Sequence, residues 1–308
     1  MRILVSGASG FIGRPLVETL RKHGHDVIRL VRRPPAHADE RYWNPQRGEI
    51  QLEEPDAAPL KLDAVVHLAG ENITGGRWSP AKKARIRESR VVGTRLLAET
   101  LAGMANPPRI FICASAIGIY GDRGEEMLTE DSPPGQNGFL VEVAREWEAS
   151  ANVAQKAGIR VVNLRLGVVL GLGGGALAAM LPPFRWGLGG PLGSGQQFIS
   201  WIALEDVLAC VEFVLAQSAL SGPVNCVAPN PVTNREFTRE LARILGRPAF
   251  FRVPELAIKL LFGEMGRELL LASTRVYPKR LLDAGFHFSL LTLGEALEAI
   301  LKKDQKSR

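Results

Sequence analysis

The stretch Gly7-Ala8-Ser9-Gly10-Phe11-Ile12-Gly13 constrains this chain more than any other. It follows a short apolar run, Ile3-Leu4-Val5, and opens a helix-like segment from Pro15 to Lys22. A strand, a glycine turn and a helix in that order form a nucleotide-binding unit. Gly7 allows a sharp turn off the strand. Gly10 lets the backbone approach a pyrophosphate with no side chain between, and Gly13 lets the helix lie close to the sheet. Free N–H groups at the helix start, backed by the helix dipole, then face the phosphates. The spacing G-x-x-G-x-x-G is tighter than the usual dinucleotide fingerprint. The turn contributes Gly7, Ser9, Gly10, Phe11, Ile12 and Gly13 as expected cofactor contacts.

A loop, Gly24-His25-Asp26, leads to a second strand, Val27-Ile28-Arg29-Leu30-Val31. The C-terminal end of that strand meets the adenosine ribose, where a carboxylate bonds the 2′-hydroxyl of NAD. Here the positions are Arg32 and Arg33. A carboxylate repels a 2′-phosphate and a guanidinium forks onto it, so the pair predicts NADP(H) over NAD(H). The competing reading is a solvated loop, which Pro34 and Pro35 then end.

Further strand-like runs, Ala64 to Ala69, Ile110 to Ala114 and Val161 to Leu166, alternate with amphipathic segments. Near-continuous apolar strands between helices predict an α/β fold, a Rossmann-type doubly wound parallel sheet covered on both faces. Functional residues are expected just past the strand ends: Leu68-Ala69-Gly70-Glu71, Ser115 to Gly121, and Gly167 to Gly171. Residues 1–171, continued by about 204–228, read as the nucleotide-binding domain. Residues 172–203 and 229–308 read as substrate-side loops and a small, mostly helical C-terminal subdomain.

Within that second part, Gly173 to Gly175 and Gly187 to Gly195, with Pro182, Pro183 and Pro191, read as loops over a site. Phe198 to Ile202 reads as a short strand, Glu205 to Gln217 as a helix and Val224 to Val227 as another strand. Thr233 with Glu236 forms a capping box for a helix from Asn234 to Leu245, which Gly246 ends. A last helix spans Leu293 to Leu301, and Lys302, Lys303, Lys306 and Arg308 read as a frayed tail.

The 308 residues suit one large or two joined domains, and 46% apolar residues suffice for a core. Cys113, Cys210 and Cys226 sit in apolar contexts without metal-type spacing, which predicts reduced thiols. The histidines do not cluster, so no metal is expected. With no signal peptide before the first strand and no spanning apolar run, the expected compartment is the cytoplasm. The net charge is +6, part of it in Arg77, Lys82, Lys83, Arg85, Arg87, Arg90 and Arg95. A basic helix can meet nucleic acid. This one lacks interleaved aromatics and reads as a solvated face with one or two arginines turned toward the cofactor.

Together these motifs resemble the extended, sugar-epimerase-like branch of the short-chain dehydrogenase/reductase superfamily. Leu68-Ala69-Gly70 after His67, Val91-Val92-Gly93-Thr94 with Arg90 where Asn is usual, Ala114-Ser115 through Tyr120-Gly121, and Arg165 to Gly171 carry the likeness. Leu68 to Ile73, Arg77-Trp78, Trp147-Glu148, Gly189 to Gly195 and Asn225 to Asn234 are similar to an atypical subgroup called epimerase family proteins. Some members of it are labelled cell-division inhibitors, a human member is regarded as an NADP-dependent oxidoreductase, and a plant relative is associated with chloroplast division. The resemblance adds Leu68, Ala69, Gly70, Glu71, Arg90, Ser115 and Leu166 to the expected cofactor contacts. It implies a monomer or homodimer acting on an unidentified small molecule.

The superfamily's chemistry uses Tyr-x-x-x-Lys on one helix face, the tyrosine moving the proton and the lysine lowering its pKa and holding the nicotinamide ribose. None of Tyr42, Tyr120 and Tyr277 has Lys four residues later. Phe139 or Leu140 stands near the tyrosine position and Val143 or Ala144 near the lysine position; the assisting serine aligns with Ala116. Ser115 and Tyr120, past a strand end, and Glu142, which shares a helix face with Glu146, remain as candidates for the missing proton transfer. Solvated surface carboxylates are the competing reading for the glutamates. Two functions therefore stand side by side: an NADP(H)-dependent oxidoreductase with a rearranged proton donor, and a non-catalytic NADP(H)-binding sensor or scaffold linked to cell or organelle division.

Overall fold

The computed structural model describes residues 1–53, 60–74 and 76–306, with side chains described through Lys302. Eight strands form the central sheet: β1 (Arg2–Ser6), β2 (Asp26–Val31), β3 (Glu40–Asn44), β4 (Glu49–Ile50), β5 (Ala64–His67), β6 (Ile110–Ala116), β7 (Arg160–Leu166) and β8 (Gly222–Cys226). Their order is β8-β7-β6-β5-β1-β2-β3-β4, and each pair is parallel except β3 with β4. This is the doubly wound Rossmann-type sheet that the strand pattern predicts. The strand order reverses at β1, so a ligand crevice opens beyond the C-terminal ends of β1 and β5.

Side chains alternate along each strand, and the sheet therefore feeds two apolar layers. Ile3 and Val5 of β1, Val66 of β5 and Ile112 of β6 join the layer built by α1 (Gly13–Lys22) and the helix Leu204–Ala216. Leu4, Val65 and Phe111 point the other way, toward α2 (Pro80–Ala102) and α3 (Phe139–Ser150). Strands apolar on both faces leave no greasy surface when both faces are covered.

β3 and β4 carry no sequence signal of that kind. Glu40, Arg41 and Trp43 of β3 are nonetheless buried. Hydrogen bonding makes this possible: Glu40 accepts both arms of Arg33, and Arg41 donates to the carbonyls of Ala38, Glu40 and Glu53.

The loop reading of the glycine-rich region needs correction. Gly175–Arg185 is a helix, with Pro182 and Pro183 inside it. Leu177, Leu181 and Phe184 share one face and bury against Phe237, Leu241, Leu293 and Leu297, which offsets the backbone bonds the prolines cannot make. The expected strand Phe198 to Ile202 is two: Phe198–Ile199 pairs with Val232–Thr233, and Trp201–Ala203 with Val168–Leu170. The helix Asn234–Leu245 forms with the reciprocal Thr233–Glu236 capping box and closes on Gly246 at φ +61°. The last helix runs Leu293–Lys306, so Lys302, Lys303 and Lys306 extend it instead of fraying; Arg308 lies outside the described residues. No helix of the described residues is long and apolar enough to cross a membrane.

His67 ends β5 fully buried, its Nδ1 2.5 Å from the Ser6 hydroxyl and its ring edge-on to Trp43. Burial pulls its pKa down to about 4, so the folded chain holds it neutral where an unfolded chain protonates it. Protons then bind the unfolded state more strongly between the two pKa values, and stability falls as pH falls through that window. The loss from this residue between pH 7 and 5 is about 2 kcal/mol. Urea unfolding at both pH values is expected to show a smaller pH 7 to 5 decrement for His67→Gln than for the wild type. Equal decrements would remove His67 as the cause.

Candidate functional site

The glycine turn is built from close backbone contacts. Gly7 has φ +69°, and a Cβ on it would lie 2.8 Å from the Ala69 nitrogen and the Leu68 carbonyl carbon. A Cβ on Gly13 would lie 2.1 Å from the Gly7 carbonyl oxygen. Neither position admits a side chain, so the turn, α1 and the end of β5 form one compact unit. Ser9 and Gly10 are exposed at the crest, and the Gly10 N–H donates to the Gly7 carbonyl at 2.9 Å. Ile12 at the N-cap of α1 offers no side-chain acceptor; the Arg14 N–H donates to the Gly10 carbonyl at 3.0 Å and Pro15 has no N–H, so the Ile12 and Gly13 N–H groups are the ones without an acceptor among the described residues and available to an anion. Phe11 turns away from that crest into a slot where Cβ atoms on Gly174 and Gly175 would meet its ring at 2.8 Å. Those glycines make room for a ring that pins the turn to the residues after Leu170.

The two predicted arginines part company. Arg33 forks onto Glu40 at 2.7 and 2.9 Å, and that contact with the Ala36 N–H holds the Glu40 carboxyl well below the usual carboxylate range. Arg32 is exposed and enters no hydrogen bond or ion pair with a described residue. The free cation at the end of β2 is therefore Arg32.

Past β5, Leu68 and Ala69 are half-buried and Gly70 is exposed. A Cβ on Gly70 would stand 3.3 Å from the Arg90 guanidinium carbon. The neighbouring Glu71 carboxylate is held by Lys82 at 2.8 Å and Arg85 at 3.5 Å, with its pKa lowered by Lys82 first. Two more basic side chains of α2 have partners: Lys83 pairs with Glu264 at 2.9 Å, and Arg87 with Glu142 and Glu146 at 2.9 and 3.4 Å. The basic stretch is a largely neutralised surface.

Past β6 the polar candidates are tied into a buried network. The Ser115 hydroxyl donates to Glu148 at 2.7 Å, and Arg165 of β7 clamps the same carboxylate through Nε and Nη2 at 2.8 and 2.9 Å. Arg165 Nη1 donates to the Tyr120 hydroxyl at 2.9 Å, and Tyr120 lies 2.8 Å from Asn225 Oδ1 on β8. Burial pulls the Arg165 guanidinium down, and Glu148 more than reverses it, so it stays charged. Burial pushes the Tyr120 phenol up, and its side chain is wholly inaccessible.

Two of the three proton-transfer candidates thus need correction. Tyr120 is a core residue whose hydroxyl already has partners. Glu142 is exposed and paired with Arg87 on the outer face of α3. Of these three, Ser115 alone stays at the strand end. Leu166, also named from the sequence, is half-buried at the end of β7 and packs in both apolar layers.

α3 sorts the remaining positions. Phe139 and Val143 bury against Trp78, Ile86 and Met265, toward α2. Leu140 faces Gly118, and Ala144 packs with Ile119 and Tyr120, toward the end of β6. The N-terminus of α3 has no local cap. Glu268 supplies one, its two oxygens accepting the Phe139 and Leu140 N–H groups at 2.9 and 2.8 Å. No sequence signal links Glu268 to α3, because the partners are far apart in the chain. Concavity alone does not mark the site either: a groove of about 310 Å³ lined by Val91, Arg95, Glu146 and Ser150 has only helix-side walls. Among the described residues no group of His, Cys, Asp and Glu has the makings of a metal site.

A doubly wound sheet with an uncapped glycine turn at its switch point defines a dinucleotide-binding class of protein. The NAD dependent epimerase/dehydratase family profile matches residues 3–226, and a domain of unknown function, DUF1731, matches residues 253–300. The chain belongs to the NAD dependent epimerase/dehydratase family, in its atypical short-chain dehydrogenase/reductase subgroup. It is 44% identical over 297 residues to the epimerase family protein Mb2239 of Mycobacterium bovis, covering 96% of each chain. It is 37% identical to the human epimerase family protein SDR39U1, covering 98% of this chain and 100% of that one. The crystal structure of human SDR39U1 (isoform 2) with NADPH superposes with TM-score 0.89 at 36% identity, over 98% of this chain and 99% of that one.

The Glu268 cap generates a stability prediction. Removing a carboxylate from two helix-end N–H groups costs about 1–2 kcal/mol. Urea unfolding of Glu268→Ala is expected to show that loss, with Glu268→Gln recovering part of it. An unchanged Glu268→Ala midpoint would mean that water replaces the cap at no cost.

Proposed function

We propose that this chain binds NADP(H) over the C-terminal ends of β1, β5 and β6 and works as an oxidoreductase on a small molecule. The observation that carries the reading is the phosphate cradle: Gly7 and Gly13 admit no side chain, while the crest and the helix end above them stay open. Arg32 supplies a free guanidinium for a 2′-phosphate, and Arg33 keeps one face of its charge on Glu40. The NADPH bound to the human relative agrees with this choice.

When bound, the reduced nicotinamide supplies a hydride. Leu140, Ala144 and Ala116 line the strand end where the superfamily's proton-transfer groups stand, and none of them moves a proton. Ser115 donates to a carboxylate fixed by Arg165, so it serves to hold α3 against β6 and β7. The substrate class that suits such a site accepts hydride to leave a stabilised anion that takes its proton from water. Conjugated enones and quinones meet that condition, because the resulting enolate or hydroquinone anion is protonated in solvent. The buried free thiols are consistent with a reducing compartment such as the cytoplasm. The same aliphatic lining favours the second reading, a nucleotide-binding sensor or scaffold without turnover.

Fluorescence titration is expected to show NADPH bound more tightly than NADH, with Arg32→Ala erasing most of the preference and Arg33→Ala less of it. A preference unchanged in Arg32→Ala would refute the assignment. Protein-dependent NADPH consumption with an enone or quinone, and none with simple ketones, is the outcome expected of the enzyme. Tight NADPH binding with no consumption across both classes would favour the sensor.

A further inference from the structure

Most of the large apolar side chains that stand in solvent gather in two stretches of the C-terminal half. Just past the helix Gly175–Arg185, Trp186 is 77% exposed and Leu188 more than half. Just before the helix Glu255–Met265, Phe250 is 72% exposed and Phe251 about half, their rings 4.9 Å apart. That helix itself exposes Leu256, Leu260 and Leu261, each by about two-thirds. The other large apolar side chains exposed among the described residues, Met1, Val92, Met127 and Leu291, are scattered along the chain. Backbone contacts make the two stretches one surface. A Cβ on Gly187 would touch Pro248 at 3.4 Å, and one on Gly190 would meet the Phe251 carbonyl oxygen at 1.9 Å. The Gly193 N–H donates to the Val253 carbonyl and the Val253 N–H to the Pro191 carbonyl, each at 2.9 Å.

The helix Glu255–Met265 is apolar on both sides. Ile258 and Met265 are buried inward, while Leu256 and Leu260, four residues apart, share the outward face. A helix that is hydrophobic all round needs cover on both faces. With the loop aromatics, the patch leaves roughly 800 Å² uncovered, more than a monomer ordinarily exposes in one place. A stable interface takes about that area, ~800 Å², from each partner. The charges suit a second copy of the chain. Glu255 and Lys259 are the ionisable residues of the first two helical turns, and they pair at 2.6 Å. Arg252, in the loop before them, turns back onto the Gly193 carbonyl. One acid and one base on the same face make it its own complement under a two-fold axis, whereas a strongly acidic or basic partner finds no net charge there. The outer face of α2 and α3 is different, being ionic at Arg87, Glu142 and Glu146.

We propose that this patch is the interface of a symmetric homodimer, with the helix Glu255–Met265 packed antiparallel against its copy in a second chain. Leu256 of one copy then lies against Leu260 of the other, and Glu255 of one comes within reach of Lys259 of the other. The loop aromatics widen the contact beside the helix pair. The dimer braces the helix that carries Met265 into the cluster with Phe139 and Val143 of α3. Its formation does not depend on nucleotide binding.

The test is the oligomeric state of the full chain by sedimentation velocity, for wild type, Leu260→Glu and Val92→Glu, with circular dichroism to check that each is folded. Wild type is expected to sediment as a dimer. Two-fold symmetry places the Leu260→Glu charge in the interface twice, so this variant should raise the dimer dissociation constant by at least about a hundredfold. Val92→Glu, on the ionic α2 side, should leave it unchanged. Cross-linking gives a second readout. Cys113, Cys210 and Cys226 are buried, so Leu260→Cys carries the one exposed thiol. A short bis-maleimide is expected to join two Leu260→Cys chains and to leave Val92→Cys chains unjoined. A wild type that stays monomeric at every concentration overturns the proposal and leaves the patch to a different partner. A dimer that survives in folded Leu260→Glu, or that Val92→Glu dissociates instead, also overturns it, as does a Leu260→Cys variant that does not cross-link. Where Leu260→Glu perturbs the fold, the cross-link decides.

Discussion

The contact between Gly7 and the Leu68–Ala69 peptide is the constraint on which the site depends. At 2.8 Å from where a Cβ would stand, two strand-end loops lie as close as backbones can. That closeness brings the helix end of α1, the loop after β5 and Arg90 of α2 around one small space. Gly13 extends the same condition to α1, whose first turn packs on the Gly7 carbonyl. A methyl group at either position would have to push the two halves of the doubly wound sheet apart. Packed interiors do not yield in that continuous way.

On the other side of the crevice the polar residues hold the structure together. Ser115, Glu148, Arg165, Tyr120 and Asn225 link β6, α3, β7 and β8 through hydrogen bonds, charge-assisted at Glu148 and Arg165 and neutral between Tyr120 and Asn225. A buried ion pair adds little net stability, yet removing one partner costs about 3–5 kcal/mol because the other is left unpaired. The network fixes α3 on the sheet and consumes the donors that a proton-transfer role would require. Tyr120 shows the conflict directly. The hydroxyl that made it a candidate in the sequence is needed between Arg165 and Asn225.

The parts of the fold legible in sequence were those with local causes. Apolar runs mark β1, β5, β6 and β7 because both faces of the sheet are covered. Thr233, Glu236 and Gly246 mark a helix because its caps lie within its own few residues. β3 was illegible, since Glu40 and Arg41 are buried only by bonds to residues that the fold delivers. The helix Gly175–Arg185 hid behind its prolines, because a distant apolar layer outweighs local propensity. In the site, the glycine turn and Arg32 were legible as positions after strands. The pairing of Arg33 with Glu40, the burial of Tyr120 and the Glu268 cap depend on residues that adjacency cannot reveal.

Glu268 and Met265 also explain why the C-terminal region and the site belong together. Met265 enters the apolar cluster of Trp78, Ile86, Phe139 and Val143, and Glu268 closes the end of the helix carrying Leu140. A tyrosine in place of Leu140 would put a polar group beside Gly118, where an aliphatic side chain now packs. The apolar seam from Trp78 to Leu269 continues to Leu140 and sets the polarity of what can sit against it. A substrate rich in hydroxyl groups would lose hydrogen bonds to water there and gain none in return. A flat, apolar acceptor gives up little. On the oxidoreductase reading proposed above, the aliphatic α3 face and the C-terminal region that packs on it favour the same chemistry: hydride without a protein-borne proton, delivered to a molecule that tolerates a dry wall.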